Sequence, residues 1–192
     1  MDKIHLIYLD STVWVSYILE DRHKDKATVL LQRATRDGNK IIVSTLNLLE
    51  VVEVIRKRVA EDTSFVGIDE VSKQAIANKI SDASRVFIQK ITELAQQDRL
   101  LIIDPSTALS DYLSSTLQLF VANFGVIDKS DYCFICEKQT RPRYRYLGVG
   151  PHDIQHIMNA KDCSANEFIT FDKGFLRLKN IFDTDKLTIT VQ

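Results

Sequence analysis

Ile4-His5-Leu6-Ile7-Tyr8-Leu9-Asp10 near the start of the chain and Phe168-Ile169-Thr170-Phe171-Asp172 near its end are short apolar runs, each closed by an aspartate. Runs of this length, rich in β-branched and aromatic residues, predict strands. An acid at the carboxyl end of a strand stands where parallel α/β sheets gather their ligand sites. Three more runs, at 40–43, 100–103 and 187–191, alternate with longer segments of helical period. The alternation predicts an α/β fold, a three-layer sandwich with a mostly parallel central sheet flanked by helices.

Between the strands the helical signal is clear in two places. Ile76, Ile80, Ala83, Phe87, Ile91 and Leu94 recur at steps of three and four, with Lys79, Ser81 and Gln89 turned away. Leu109, Leu113, Leu117, Phe120 and Phe124 repeat the pattern. Both stripes read as amphipathic packing faces rather than ligand sites. Residues 61–69 are polar and contain Gly67, which marks a loop between helices. Residues 126–150, mixing cysteines, arginines, tyrosines and glycines with little helical period, read as an inserted hairpin or extended loop. With 192 residues and 45% hydrophobic content, the expectation is a single domain over 1–192 carrying an insertion at 126–150.

A net charge of -1 and a pI near 6.4 exclude a global attraction for polyanions, so any nucleic-acid contact has to come from a local patch. No run approaches transmembrane length, and Asp10 breaks the first apolar stretch too early for a signal peptide. Three cysteines, an odd number, argue against a disulfide framework and for a reducing compartment, which makes the cytoplasm the expected location.

Four acids stand where an acid is costly: Asp10, Glu50, Asp153 and Asp172. Singly they have ordinary readings. A strand-end aspartate can cap the following helix, as Asp104 before Pro105 is expected to do, and Asp153, just after Pro151, suits a first helical turn. Glu50 is harder to place, because it interrupts Leu46-Asn47-Leu48-Leu49-Glu50-Val51-Val52-Glu53-Val54-Ile55, a stretch that must be mostly buried if helical. Glu53, three residues on, shares much of its face. If the acids converge, each pair at about 5 Å repels by roughly 3 kcal/mol at an effective dielectric near 20. A bound cation resolves that repulsion, and an all-oxygen ligand set points to magnesium or manganese rather than zinc.

These residues resemble the PIN-domain nucleases. The likeness rests on Ile7-Tyr8-Leu9-Asp10-Ser11-Thr12, on Ser44 followed six residues later by Glu50, on Asp153 followed by Ile157 and Ala160, and on Ile169-Thr170-Phe171-Asp172-Lys173-Gly174-Phe175. It spans nearly the whole chain. The resemblance implies that Asp10, Glu50, Asp153 and Asp172 form one quartet holding Mg²⁺ or Mn²⁺. Ser11 or Thr12, with Thr170, would supply supporting hydroxyls. It further implies hydrolysis of single-stranded RNA, in which the cation acidifies and orients a water and offsets charge on the phosphate. Many small family members are toxins paired with an antitoxin, and a homodimer is a family expectation. The chain departs from the small toxin pattern around 61–98 and at 126–150.

Two other constellations compete for attention. Cys133, Cys136, His152 and His156 have the order and spacing of a C₂H₂ zinc site. The stretch between them lacks the pattern of a finger, which favours small buried cysteines and histidines beside the acidic site. Arg141-Pro142-Arg143-Tyr144-Arg145-Tyr146 alternates, so an extended conformation puts Arg141, Arg143 and Arg145 on one face and the tyrosines on the other. That is a platform for a single strand, or else an edge strand whose arginines discourage pairing. Lys173, Arg177 and Lys179 add positive charge beyond Asp172.

Two rivals to a ribonuclease remain at this level. One is a non-catalytic RNA-binding or scaffolding protein that uses the Arg and Tyr stretch, with or without a structural zinc. The other is phosphotransfer at Asp10, disfavoured because Thr12 stands where such enzymes usually carry a second aspartate. Arg143→Ala combined with Arg145→Ala is expected to weaken RNA binding and flatten its salt dependence while metal binding stays intact. An unchanged salt slope in a filter-binding titration takes this stretch out of the substrate path.

Overall fold

The computed structural model describes residues 4–36, 38–61, 70–104, 151–182 and 186–192. The chain divides into two compact units, Met1–Asp104 and Pro105–Gln192. The expected helix at 109–124 and the insertion at 126–150 lie outside the described residues.

In the first unit the apolar runs become β1 (Leu6–Leu9), β2 (Lys40–Ser44) and β3 (Leu100–Ile103). β1 pairs with β2, and β2 with β3, both in parallel, with Tyr8 opposite Ile42 and Ser44 opposite Ile103. Their side chains Ile7, Tyr8, Leu9, Ile41, Ile42 and Val43 are all buried, as strands covered on both faces require. The helices are α1 (Ser11–Ile18), α2 (Lys24–Ala34), α3 (Thr45–Glu61) and α4 (Glu70–Gln96). α1 packs against α2, α3 and α4, and its Trp14 meets Phe87 of α4 edge to face at 5.7 Å between centroids. The six-residue stripe expected on α4 does turn inward. Phe87 and Leu94 are buried and Ile76, Ile80, Ala83 and Ile91 partly so, whereas Lys79, Ser81 and Gln89 are exposed.

α3 is helical as expected but less buried than the expected mostly buried stretch. Asn47, Val51 and Ile55, one turn apart, are fully buried, but Leu49 is 70% and Val52 39% exposed. The helix therefore buries one narrow stripe and leaves apolar side chains on its open face. Its far end is tied to the turn between α1 and α2, where Asp21 accepts hydrogen bonds from Ser16 Oγ (3.0 Å), His23 N (2.8 Å) and Arg58 of α3 (3.2 Å). Gly38, at φ +80, occupies the turn leading to β2, a backbone conformation that suits glycine.

The second unit contains α5 (Pro151–Asp162), β4 (Glu167–Thr170), a 3₁₀ turn (Lys173–Phe175), α6 (Leu176–Phe182) and β5 (Thr188–Val191). β4 and β5 are parallel, with Phe168 opposite Ile189. Phe168 stacks on Phe175 at 5.0 Å, and Ile154, Ile157 and Ala160 of α5 are fully buried. Among the described residues the strand pairings within each unit are parallel and helices pack on the strands, so the α/β class read from the sequence holds. No described helix is long and apolar enough to cross a membrane.

Ile55→Ala should destabilise the first unit by about 2 to 5 kcal/mol, the range for truncating a fully buried aliphatic side chain. Urea denaturation followed by circular dichroism measures it, and a loss below about 1 kcal/mol contradicts the burial assigned to this face of α3.

Candidate metal centre

Asp10 follows β1 directly and serves as the N-cap of α1. It is 2% exposed, and its Oδ2 accepts from the Thr12 hydroxyl at 2.7 Å and from the Thr12 amide at 3.4 Å. The cap explains the local backbone, and the Thr12 hydroxyl orients the carboxylate. Of the neighbouring pair Ser11 and Thr12, it is Thr12 that contacts Asp10 in this way.

The start of α3 is pinned to the ends of β1 and β2. Ser44 Oγ accepts from the Asn47 amide at 3.1 Å, a cap on the first turn, and is bonded to the Tyr8 hydroxyl at 2.9 Å. Asn47 Nδ2 donates to the carbonyl of Leu9 at 3.3 Å. Thr45, at the head of the helix, donates its hydroxyl to Asp104, so Asp104 holds α3 as well as ending β3. With its first turn fixed, α3 presents Glu50 one turn later beside the end of β1. A carboxylate oxygen of Glu50 comes within 4.8 Å of one from Asp10.

Glu53 does not join this pair. Arg56 donates to both of its oxygens at 2.8 Å, and Lys57 lies at 3.4 Å. The Arg56 guanidinium, with Lys57 assisting, holds the Glu53 carboxyl down at about 2. Its charge is thus answered on its own helix.

In the second unit Asp153 is half-buried in the first turn of α5, where the helix dipole favours an acid. His156, one turn on, is 1% exposed, and Gln155 and Asn159 are also buried, whereas His152 is exposed. Asp172 does not end the strand directly. β4 stops at Thr170, whose Oγ1 accepts from the Asp172 amide at 2.9 Å, and Asp172 then caps the 3₁₀ turn through Gly174 N at 2.7 Å. Lys179, one of the three cations expected beyond Asp172, donates to the Ile189 carbonyl at 2.8 Å and braces α6 against β5. Burial raises the Cys163 thiol to about 11, with Asp162 contributing, which keeps it protonated and unreactive at neutral pH. Cys133, Cys136, Arg141, Arg143 and Arg145 lie outside the described residues.

Asn47 is the residue that sequence reasoning misses. It is a fully buried amide three residues before Glu50, and among the described residues its Oδ1 meets no hydrogen-bond donor. The criterion that singles out Glu50, a polar group inside an apolar run, also applies to Asn47. The two carboxylates, within 4.8 Å of one another, offer hard oxygen donors, which fit a hard divalent cation.

Within each unit parallel strands are covered by helices, an α/β architecture. Among solved structures, the chain is similar to the crystal structure of VapBC2 from Rickettsia felis bound to a DNA fragment from their promoter. The identity is 18% and the TM-score 0.51, over 97% of this chain and 98% of that one. At that identity the likeness speaks for the fold. No family model and no curated protein matches the sequence.

The close Asp10 and Glu50 carboxylates generate a stability prediction. In EDTA, Asp10→Asn should melt at a higher temperature than the wild type, because the amide keeps the cap on α1 and removes a like-charge interaction. Millimolar Mn²⁺ should raise the melting temperature of the wild type and do much less for the variant. A wild type indifferent to Mn²⁺ would argue against a metal at this pair.

Proposed function

We propose that the chain is a divalent-metal-dependent endoribonuclease that hydrolyses phosphodiester bonds of single-stranded RNA. In this reading its two units fold together as one PIN-like domain. Asp10, Glu50, Asp153 and Asp172 hold Mg²⁺ or Mn²⁺, with the Thr12 hydroxyl on the Asp10 carboxylate and the Thr170 hydroxyl on the Asp172 amide. The observation that carries the reading is the approach of Asp10 and Glu50 to within 4.8 Å at the end of β1. Charges of one sign are rarely assembled in a protected position without a cation to offset them.

The chemistry assigned to the chain's own residues is modest. The acids bind and orient, and Asp153 and Asp172 extend the oxygen set from the start of α5 and the end of β4. A cation bound there supplies what phosphodiester hydrolysis needs, a more acidic water and compensation for charge on the phosphate oxygens. Arg141, Arg143 and Arg145 are proposed to contact the RNA backbone. The PIN-like fold shared with VapBC2 supports an antitoxin as protein partner, and a homodimer is proposed on the family pattern alone. The odd cysteine count supports a cytoplasmic setting.

Purified protein should cleave an unstructured RNA with Mg²⁺ or Mn²⁺ and stop on addition of EDTA. Asp10→Asn and Asp153→Asn should each lower the rate at least about a hundredfold, equivalent to losing roughly 2.7 kcal/mol of transition-state stabilisation. Cleavage that persists in both variants would assign the activity to a contaminant or to a different site. RNA binding indifferent to EDTA, with no cleavage under any metal, would leave the scaffolding reading in its place.

A further inference from the structure

Beyond Glu50, the open face of α3 carries a continuous stripe that the metal site does not use. Leu49 and Val52 are exposed beside Glu50, and Arg56 and Lys57 come one turn later, also exposed. The spacing of three and four puts these side chains along one side of the helix. At 1.5 Å per residue, Arg56 and Lys57 lie roughly 9 to 10.5 Å along the axis from Glu50. We propose that this stripe is a track for the substrate strand: Leu49 and Val52 support a base next to the scissile phosphate, and Arg56 and Lys57 take a neighbouring phosphate. The inference rests on the ribonuclease reading and names where that site's RNA runs.

Three observations support RNA rather than a protein as the occupant. Two adjacent apolar side chains are a small area against the surface that a stable protein interface buries. Arg56 and Lys57, with Glu53 paired to both, leave one net positive charge at this end of the stripe, which suits a polyanion in a chain whose net charge is -1. Finally, Arg56 is already held. Glu53 engages it through Nε and one terminal nitrogen, leaving further N–H donors to point outward. Glu53 is thus a positioning residue that fixes the guanidinium before a phosphate arrives, which reduces the entropy lost on binding.

The test uses the full chain with labelled single-stranded RNA in EDTA, where cleavage does not compete, and reads fluorescence anisotropy across a salt series. Arg56→Ala with Lys57→Ala should weaken binding about tenfold and reduce the log–log salt slope by roughly 0.7, the value for one single-strand phosphate contact. Leu49→Ser with Val52→Ser should weaken binding about fivefold with the slope unchanged, as expected for losing base contacts that carry no charge. All four residues are exposed, so the variants should fold, which circular dichroism checks. The Mn²⁺-induced rise in melting temperature should stay as in the wild type.

An unchanged affinity and slope in the Arg56 and Lys57 variant overturns the track. So does a Leu49 and Val52 variant that binds RNA normally but sediments as a smaller species, since the stripe then belongs to a protein contact. If the wild type shows no Mn²⁺ response and no cleavage while the slope still falls, the nuclease reading fails and the RNA track survives it.

Discussion

The hydrogen bonds that fasten the first turn of α3 to the strand ends set the geometry of the candidate site. Asn47 reaches the carbonyl of Leu9, the residue immediately before Asp10, while Ser44 caps the helix and meets Tyr8 across the sheet. A helix that starts at this point has no freedom in where its second turn lies, so Glu50 arrives beside Asp10. The bonds are buried, where a hydrogen bond is electrostatically stronger than in water and costly to leave unmade. That rigidity is what allows two like charges to be held close without the helix simply moving away.

Much of this is legible in the sequence because it depends on local patterns. Strand ends at Asp10 and near Asp172, and the inward stripe of α4 from Ile76 to Leu94, emerge from periodicity and composition alone. The closeness of Asp10 and Glu50 does not, since forty residues separate them and only the pairing of β1 with β2 brings them near. Composition overstates the burial of α3, because an apolar run is not always a buried one. Leu49 and Val52 show that it does not report which face meets solvent. Asp172 illustrates a smaller limit. Phe171 extends the apolar run by a residue, but the Thr170 hydroxyl takes the Asp172 amide and ends the strand earlier.

The two faces of α3 divide its work. The buried face, Asn47, Val51 and Ile55, anchors the helix in the first unit. The open face carries side chains that local packing does not require, and Glu50 stands where the two meet, half-buried. Glu53, one turn on, is answered by Arg56 and Lys57 and adds no repulsion to the acidic pair. Two carboxylates three residues apart on one helix therefore have different settings, Glu53 against the cations one turn further along and Glu50 beside Asp10 at the end of β1.

The grip of Asp21 on Arg58 has a mechanical consequence. α3 is clamped at its first turn by Asn47 and Ser44 and near its last by the α1–α2 turn, so it behaves as a beam supported at both ends. A load applied to the cationic stretch between the supports cannot be relieved by bending of a free end. The stretch with Glu53, Arg56 and Lys57 is thereby held from both sides.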